Sequence, residues 1–342
     1  MIPPDSQRKL RVGITFNIKK NAVTDPPDAE EEFDEPGTVA AVKNALETAG
    51  REVELFEATE RLPVRLSERR PDMVFNIAEG MNGRGREAHV PAILNFLNIP
   101  FTGSDETAMC IAMDKALAKQ LLMSHHIRTP KYKIIGSSSP FSADGLSFPV
   151  IVKPVAEGSG KGISDLSVVS DVIGLRRVSA ENIGVYKQDM IAEEYIAGRE
   201  FTAGILGNAD EIRVFPPMEI IFRDNTRGVY SREVKRNFRE FVRYDCPPII
   251  GADIRTEIEN TARKVFRILG CRDFARIDFR LSPDNLLYFI EANPLPGLAP
   301  GYSDFPILAG FCGMDYDSLI RNILDVALKR YGINRQGSKS HE

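Results

Sequence analysis

Several features that would place the chain in a special class of protein are missing from its 342 residues. The formal net charge is only -4, so charge gives no reason to expect binding to nucleic acid or to an anionic membrane surface. No apolar run approaches the roughly 18 residues that span a bilayer, and the first residues, MIPPDSQRKLR, lack the apolar core of a secretory signal. These absences predict a cytoplasmic protein without nucleic-acid or membrane partners.

Cysteine and histidine are both scarce, with four of each in the chain. The cysteines are far apart and form no CxxC pair, which predicts reduced thiols that mostly fill cores. The histidines show no metal-ligand spacing, so a zinc site is not expected. The residues concerned are Cys110, Cys246, Cys271, Cys312, His89, His125, His126 and His341.

The order of strand-like and helix-like segments predicts two kinds of sheet. Strand alternates with helix over about the first hundred residues, which favours a parallel α/β sheet. Ser104 or Asp105 then caps an amphipathic helix. From about residue 130, short strands with tight connections favour antiparallel sheet. The predicted fold class is therefore α/β and α+β, with an N-terminal parallel domain, two antiparallel-sheet subdomains and a loose tail, at residues 1–108, 109–191, 192–334 and 335–342.

The last predicted hairpin joins ARIDFRL to LLYFIEAN through the turn SPDN. A turn centred on residues 283–284 places Arg276 opposite Glu291 and Asp278 opposite Phe289. Because side chains alternate between faces, the polar face would carry Arg276, Asp278, Glu291 and Asn293, and the apolar face Ile277, Phe279 and Ile290. Carboxylate and amide oxygens on a rigid face suit Mg²⁺, provided that a polyphosphate supplies further ligands. For the hairpin alone, a solvated polar face remains the alternative.

The segment FPVIVKPVAEGSGKGIS combines a cation at the end of an apolar strand with a run of alternating glycines. Lys153 in such a place needs an anion to meet, and the glycines let the backbone approach phosphate closely. The segment is not a P-loop, because Lys161 is followed by glycine and then by a strand. A flexible hairpin turn is equally compatible with the loop alone. Taken singly, Lys115 could be an exposed helix cation and Glu193 part of a charged strand edge.

Taken in order, these segments resemble the ATP-grasp superfamily and, within it, the D-alanine–D-alanine ligases. The resemblance covers roughly residues 72–325 and is carried by VFNIAEG, IPFTGSDETAMCIAMDK, FPVIVKPVAEGSGKGIS, EEYIAGREFT, GCRDFARIDF and IEANPLPGLAPGYSD. It implies an ATP-grasp fold in which two antiparallel sheets sandwich ATP. It also implies a homodimer and small-molecule carboxylate and amine substrates.

The resemblance assigns roles to residues at matching positions. It implies that ATP is bound by Lys115, Lys153, Glu157, Gly158, Ser159, Gly160, Gly162, Glu193, Glu194, Ile196, Glu200 and Lys235. It implies two Mg²⁺ ions, with Mn²⁺ as an alternative, on Asp278, Glu291 and Asn293. The implied catalytic residues are Arg276 for the transferring phosphoryl group, Lys235 for the γ-phosphate, Gly297 for the oxyanion, and Ser159.

The chain departs from the family at positions that face the substrates. The histidine of the family's LHG is Glu79, and the acidic run after it is replaced by a segment with Arg84 and Arg86. The tyrosine after the γ-phosphate lysine is Arg236, and the C-terminal loop reads APGYSD, with Tyr302 and Ser303 in its substrate pocket. No Gly-Gly loop or Ser-x-Glu follows the first strand. Glu31 or Glu32 is the substitute, although a solvated acidic loop is the simpler interpretation.

These patterns predict an ATP-dependent carboxylate–amine ligase that works through an acyl phosphate on substrates other than two D-alanines. Glu79 would suit a cationic group of the substrate, and Arg84, Arg86 or Arg236 an additional carboxylate. A D-alanine–D-alanine ligase with a diverged substrate entrance is the first alternative. An ATP-binding regulatory protein and a small-molecule kinase on the same fold are the others.

Overall fold

The computed structural model describes residues 8–20, 24, 26, 28–136, 141–158, 160–163, 167–223, 234 and 237–333. Three residues of the predicted site, Ser159, Lys235 and Arg236, lie outside the described residues, as does the predicted tail, 335–342. In the part of the chain that the structure describes, every helix is too short or too polar to cross a membrane.

The first unit is a three-stranded parallel sheet in the order β2-β1-β3, as the strand–helix alternation predicted. Its strands and helices are β1 (Arg11–Phe16), α1 (Pro36–Thr48), β2 (Glu52–Glu57), α2 (Leu62–Glu68), β3 (Met73–Asn76) and α3 (His89–Phe96). All four residues of β3 are buried. A short 3₁₀ turn, Arg86–Ala88, precedes α3 and carries two charged side chains toward the site described below.

Two helices follow where the sequence predicted one: α4 (Glu106–Met113) and α5 (Lys115–Ser124). Asp105 caps α4, accepting a hydrogen bond from the Ala108 amide at 3.0 Å. Ser104 is not the cap, because its hydroxyl accepts from the Arg272 amide. Asp114 separates the helices and caps α5. This second cap fixes Lys115 as the first residue of α5.

The second sheet is antiparallel, with the strand order β4-β7-β5-β6. It comprises β4 (Tyr132–Ile135), β5 (Val150–Pro154), β6 (Val168–Val169), α6 (Val172–Tyr186) and β7 (Met190–Glu194). The predicted strand ISDLSVV is strand only at Val168–Val169, and residues 164–166 lie outside the described part. Helix α6 was not predicted, and it packs on this sheet through Leu175 and Val178.

The third sheet is also antiparallel, in the order β11-β10-β8-β12-β13, with β9 paired to β8. Its elements are β8 (Arg199–Leu206), β9 (Arg213–Val214), β10 (Met218–Phe222), α7 (Phe238–Phe241), β11 (Val242–Asp245), α8 (Ala252–Ile268), β12 (Phe274–Leu281), β13 (Leu287–Asn293), α9 (Asp304–Phe311) and α10 (Tyr316–Arg330). The segment RVFPPMEII, predicted as one strand, is divided into β9 and β10. Pro216 and Pro217 fall between them and have no N–H to donate to a ladder.

Two large cores hold these layers together. One joins α1 and the first sheet to α9, α10 and the underside of β8, so the N-terminal unit packs directly against the third sheet. The other lies between α8 and the β8-β12-β13 strands, where Ile258, Ala262 and Val265 of α8 are buried. Cys271 belongs to this core as predicted, whereas Cys110 is exposed, so the core-filler interpretation is wrong for Cys110.

Candidate active site

A cleft of about 1770 Å³, counting its open solvent space, lies between the second and third sheets and reaches the N-terminal unit. Most of the described residues that the sequence singled out line it. They are Glu31, Glu32, Glu79, Lys115, Lys153, Glu157, Gly158, Gly160, Glu193, Glu194, Ile196, Glu200, Arg276, Asp278, Glu291, Asn293, Gly297, Tyr302 and Ser303. Arg84 and Gly162 do not line the cleft. The Arg84 side chain is 73% exposed and lies 3.6 Å from the Asp114 carboxylate.

The final hairpin brings its polar residues together in a different register from the one predicted. Asp278 pairs with Glu291, and Arg276 pairs with Asn293. The predicted pairs, Arg276 with Glu291 and Asp278 with Phe289, are therefore wrong. The register shifts between Asp278 and Phe279, which leaves Ile290 as a β-bulge residue. Without this extra residue, Glu291 would point to the opposite face from Asp278. The bulge therefore creates the predicted polar face, and it moves Ile290 from the predicted apolar face to the cleft wall.

Asp278 is held by three neighbours on this face. Arg276 donates Nε and Nη2 to its two carboxylate oxygens at 3.0 and 2.9 Å. The Thr202 hydroxyl donates to Oδ1 at 2.7 Å, and the Asn293 amide donates to Oδ2 at 3.1 Å. Burial raises the pKa of Asp278 in spite of Arg276, and Glu291 adds to the rise. Two nearby carboxylates, of which Asp278 is costly to keep ionised, and an amide oxygen form a donor set that a divalent cation would stabilise.

Cations approach this face from the other walls of the cleft. Lys115 is 6% exposed, so the interpretation as an exposed helix cation is wrong. Its Nζ donates to the Glu157 carbonyl and lies 3.7 Å from Glu291 Oε2. The Arg276 guanidinium is also 3.3 Å from Asp304 Oδ2. Asp304 itself is 2% exposed and accepts a hydrogen bond from the Tyr244 hydroxyl at 2.8 Å. Asp304 thereby fixes the second side of the guanidinium.

Glu193 also lines the cleft, and it lies between two buried lysines. Lys153 Nζ is 3.1 Å from one carboxylate oxygen, and Lys119 Nζ is 3.3 Å from the other. Burial alone would raise the pKa of Glu193, but the two lysines lower it below its ordinary value. Glu193 is 1% exposed, so a charged strand edge is the wrong description.

After Glu193, the polar groups of Glu194 and Tyr195 form hydrogen bonds with other parts of the protein. The Glu194 carboxylate accepts from the Ser147 amide at 2.9 Å. The amides of Glu194 and Tyr195 donate to backbone carbonyls at 2.8 and 2.9 Å. Those N–H groups are therefore used within the fold.

Glu200 lies on β8, where its carboxylate is 3.4 Å from the Arg280 guanidinium. Burial raises the pKa of Glu200 to about 7 against the effect of Arg280. Arg280 also stacks over the Tyr195 ring, at 4.8 Å from its centroid. The side chains of Glu200 and Arg280 line the cleft, as Ile196 does.

The glycine-rich loop, residues 157–163, is held against the N-terminal unit. The Gly158 amide donates to Glu32 Oε1 at 2.8 Å, and a Cβ at Gly158 would lie 2.7 Å from that oxygen. Gly162 has a φ of +71°, and a Cβ there would lie 2.6 Å from Pro154 Cγ. Gly162 therefore needs glycine, because its backbone is left-handed and Pro154 lies close, whereas a side chain at Gly158 would displace the Glu32 carboxylate.

Glu32 belongs to an acidic segment, residues 28–35, that covers this loop. Its carboxylate binds Arg86 at 2.6 Å and lies 3.5 Å from Lys161. Arg86 and Lys161 both bind Glu157 as well, at 2.9 and 2.6 Å. The Glu32 side chain is only 3% exposed. The interpretation of a solvated acidic loop is thus wrong for Glu32, and Arg86 faces carboxylates of the protein.

Beyond Glu32, the N-terminal wall of the cleft carries carboxylates without cationic partners. Carboxylate oxygens of Glu32, Glu79 and Glu87 lie within 4.8 Å of one another. The side-chain carboxylates of Glu79, Glu87 and Asp34 form no hydrogen bond or salt bridge with another described residue, although the Asp34 backbone bonds to Asn17 and Lys19. Burial raises the pKa of Asp34 and of Glu87 to about 7. It also raises the pKa of Glu79 well above its ordinary value, with Glu87 adding to the rise.

Sequence reasoning missed several residues of the site, namely Asp34, Glu87, Lys119 and Arg280, and it included Asp304 only as the last residue of the loop APGYSD, without a role of its own. One of them had a usable signal: Lys119 follows Lys115 by four positions, so both lie on the same face of α5. Asp304 and Arg280 are brought to the cleft by contacts between elements distant in sequence, and no local pattern marks them.

Comparisons with known proteins agree with this arrangement. Residues 133–325 match the family model described as D-ala D-ala ligase C-terminus. Similar relatives include the uncharacterized protein y4sG of Sinorhizobium fredii, 34% identical over 85% of this chain and 87% of the relative. They also include D-alanine–D-alanine ligases of Bordetella petrii, 32% identical over 84% and 85% of the two chains, and of Azoarcus sp., 34% identical over 83% and 90%.

A solved structure shares the fold. The crystal structure of D-alanine–D-alanine ligase from Bacillus anthracis complexed with ATP superposes with a TM-score of 0.74, covering 94% of this chain and 98% of that one at 22% identity. The predicted ATP-grasp fold is thereby confirmed. With a family match over more than half of its length and relatives above 30% identity, the chain belongs to the D-alanine–D-alanine ligase family of ATP-grasp ligases.

Proposed function

We propose that this protein is an ATP-dependent ligase that joins a carboxylate to an amine through an acyl phosphate and releases ADP and phosphate. One observation carries the proposal. One cleft is lined by two carboxylates and an amide on the β12-β13 face and by a glycine-rich loop. The buried cations Lys115, Lys153 and Arg276 line the same cleft. That set can hold a polyphosphate and compensate charge as a phosphoryl group is transferred.

The triphosphate would lie between the cations and the glycine-rich loop. Lys115 and Lys153 would contact phosphate oxygens, and Glu157 would anchor the loop. The Gly160 amide would also approach the phosphates, and the Gly158 amide would exchange its bond to Glu32 for one to phosphate. Lys235, assigned to the γ-phosphate from the sequence, lies outside the described residues. Buried ammonium groups without bulk solvent interact strongly with phosphate.

The residues that would hold Mg²⁺, or Mn²⁺, are Asp278, Glu291 and Asn293. The donor set fits a hard cation, because all three offer oxygen and because the raised pKa of Asp278 reflects charge that a cation would compensate. When bound, two such ions would neutralise negative charge on the phosphates. Arg276, fixed on both sides by Asp278 and Asp304, would stabilise the transferring phosphoryl group.

The nucleoside would lie at the other end of the cleft. Glu193 would accept a hydrogen bond from the adenine amino group, and the backbone from Glu194 to Ile196 would lie along the adenine edge. Glu200 would bind the ribose hydroxyls. This assignment gives a role to a carboxylate kept ionised by two lysines at the closed end of a cleft.

The reaction can be written in two steps. An oxygen of the substrate carboxylate attacks the γ-phosphorus, the bond to the bridging oxygen breaks, and ADP leaves. The amine nitrogen then attacks the acyl carbon, the tetrahedral intermediate loses phosphate, and the amine loses a proton. The Gly297 amide would donate to the oxyanion; a Cβ at Gly297 would lie 2.8 Å from Ser303 Oγ. Ser159, outside the described residues, is assigned from the sequence alone.

We propose further that the substrates are not two D-alanines and that one of them carries a cation near Glu79. The N-terminal wall of the cleft has more carboxylates than cations, and a positive group would relieve the desolvation that raises the pKa of Glu79. Tyr302 and Ser303 would line the pocket, and Arg236 would face an additional carboxylate. Among the arginines predicted to bind this carboxylate, Arg84 is the least suited, because its side chain is exposed.

A second candidate is a true D-alanine–D-alanine ligase, because relatives 32–34% identical to this chain bear that name. A screen for ADP release over pools of amino acids, dipeptides and amines, with mass analysis of the products, separates the possibilities. We expect an amide product and free phosphate with a cationic substrate. ADP release with D-alanine alone would establish the second candidate. A phosphorylated product would indicate a kinase, and ATP binding without turnover in any pool a regulatory protein.

A further inference from the structure

Lys119 is a fully buried lysine that lies behind the cleft. It is one turn after Lys115 on α5, and its side chain is 0% exposed. Its Nζ donates to the Ile290 carbonyl at 2.8 Å, lies 3.3 Å from Glu193 Oε1, and is 5.4 Å from the centroid of the Phe289 ring. One ammonium group thus joins α5, β7 and β13.

The two contacts of Lys119 belong to two functional parts of the site, Glu193 and the strand that carries Glu291. Glu193 has one oxygen on Lys153 and the other on Lys119, so the two lysines together fix the plane of its carboxylate. Ile290 is the bulge residue that turns Glu291 toward Asp278. A bulge residue is left out of the regular ladder, and Lys119 supplies a partner for its carbonyl.

A buried ammonium group is costly, so the position of Lys119 calls for a reason. A hydrophobic side chain of the same length would fill the space between α5 and β13 without the desolvation that lowers the pKa of Lys119 to about 8. Phe289 and the neighbouring apolar core would suit such a side chain. What a hydrophobic side chain could not do is hold a carboxylate and a carbonyl at fixed positions.

We propose that Lys119 is a positioning residue that orients Glu193 toward the adenine amino group and fixes the bulge that presents Glu291. Lys119 thereby sets the preference for adenine nucleotides and couples it to the metal-binding strand. The proposal rests on the proposed function, in which Glu193 reads adenine and Glu291 binds Mg²⁺.

The test compares ATP with ITP, which carries an oxygen in place of the 6-amino group. Dissociation constants are measured by calorimetry at saturating Mg²⁺ for the wild-type chain, for Lys119→Met, and for Lys264→Met, an exposed lysine on α8 that serves as the matched control. We expect Lys119→Met to lower the ratio of ATP to ITP affinity by about tenfold, since a hydrogen bond to a charged group is lost. Lys264→Met should leave the ratio unchanged. An unchanged ratio in folded Lys119→Met overturns the proposal.

A second pair of variants keeps the test decisive if Lys119→Met does not fold. Glu193→Gln and Lys119→Met/Glu193→Gln differ only at Lys119, and the double variant removes both charges of the buried pair. If Lys119 acts on adenine binding only by orienting Glu193, these two variants have equal ratios of ATP to ITP affinity. A lower ratio in the double variant than in Glu193→Gln overturns the proposal.

The metal-binding end has its own measurement. The Mg²⁺ concentration for half-maximal ATP binding should be about threefold higher or more in the double variant than in Glu193→Gln, because the bulge before Glu291 loses its partner. An equal Mg²⁺ requirement overturns the coupling. If the wild-type chain does not bind ATP, the proposed function and this proposal both fail. If it binds ATP and the ratios do not move, only the role of Lys119 fails.

Discussion

Single residues in the cleft differ in whether their charge is compensated within the protein. Glu32 and Glu193 each contact two cations, and their pKa values lie below the ordinary value. Glu79 and Glu87 face the same cleft without such partners, and their pKa values are raised. The protein itself therefore supplies the counter-charge for Glu32 and Glu193, whereas Glu79 and Glu87 are suited to meet a cationic ligand.

Replacing Glu79 should change substrate choice more than nucleotide binding. Glu79→Gln removes one uncompensated charge from the N-terminal wall, so a cationic substrate should bind about tenfold more weakly. The affinity for ATP should change less than twofold. Competition for ADP release among the substrate pools measures the first, and calorimetry the second. Glu60→Gln, at an exposed position in the N-terminal unit, is the control. An unaltered substrate profile would show that Glu79 does not face the substrate.

The carboxylate of Asp278 should be indispensable for Mg²⁺-dependent nucleotide turnover. Asp278→Asn keeps the shape of the side chain but removes the charge opposite Glu291, and we expect ADP release to fall by at least about a hundredfold. The matched control is Asp284→Asn, an exposed aspartate in the turn of the same hairpin, which should keep full activity. Activity within a fewfold of wild type in Asp278→Asn would contradict the metal assignment.

At the scale of elements, the site depends on two irregular connections. The bulge at Ile290 sets which face of β13 carries Glu291. The acidic segment, residues 28–35, covers the glycine-rich loop through Glu32, and Asp28 adds a contact by accepting from the Tyr186 hydroxyl at 2.8 Å. The mobility of the loop should therefore depend on an element of the N-terminal unit.

Glu32→Gln should loosen the glycine-rich loop. The Gly158 amide donates to Glu32, and Arg86 and Lys161 approach the same carboxylate. Weakening these charge-assisted contacts should speed amide hydrogen exchange in residues 157–163 by about tenfold, since local opening becomes easier. Exchange in α8, which is far from the loop in the fold, is the internal control. Unchanged exchange in the loop would show that the acidic segment does not restrain it.

At the scale of the whole molecule, carboxylates crowded around one cleft should make stability depend on pH. Asp34, Glu87 and Glu200 have pKa values of about 7 in the folded chain, above their ordinary values. Between about pH 4.5 and pH 7 the folded state therefore binds more protons than the unfolded state. Stability consequently decreases as the pH rises through this window.

We expect the unfolding temperature of the ligand-free protein to fall by at least about 3 °C between pH 5 and pH 7.5. The lowered pKa of Glu32 and Glu193 acts in the opposite direction only below about pH 4.5, where these groups lose their ion pairs. The variant Asp34→Asn/Glu87→Gln should show a flatter profile in a thermal denaturation series. A rising unfolding temperature over the same interval would contradict the raised pKa values.

The predicted division of the chain at residues 108 and 191, and the predicted homodimer, stay predictions. The boundary after residue 191 would cut β7, whose residues all pair within the second sheet, so we propose the boundary after Glu194. Limited proteolysis with mass analysis of the fragments tests the boundaries, and light scattering tests the dimer.

The fold class and most of the residues that line the cleft could be predicted from local sequence patterns. Chain order was enough, because the strand–helix alternation, the apolar strand before Lys153 and the glycine spacing are local patterns with local causes. The same holds for Asp278, Glu291 and Asn293. Glu291 and Asn293 are two residues apart on one strand, and the hairpin that brings Asp278 to them is itself a local pattern. Their identity as neighbours was predicted correctly even though their register was not.

The register of the hairpin, the bonding partners and the burial of the site residues could be established only from the folded chain. A one-residue bulge changes which side chains are opposite without leaving a mark in the composition of the strand. Glu32 and Arg86 are 54 positions apart, and Lys119 and Ile290 are 171 apart. Whether a charged residue is solvated or buried against a partner depends on which distant element packs over it, because desolvation and pairing are properties of the assembled fold. For that reason the bonding partners of Glu32 and Lys119 could be assigned only from the structure.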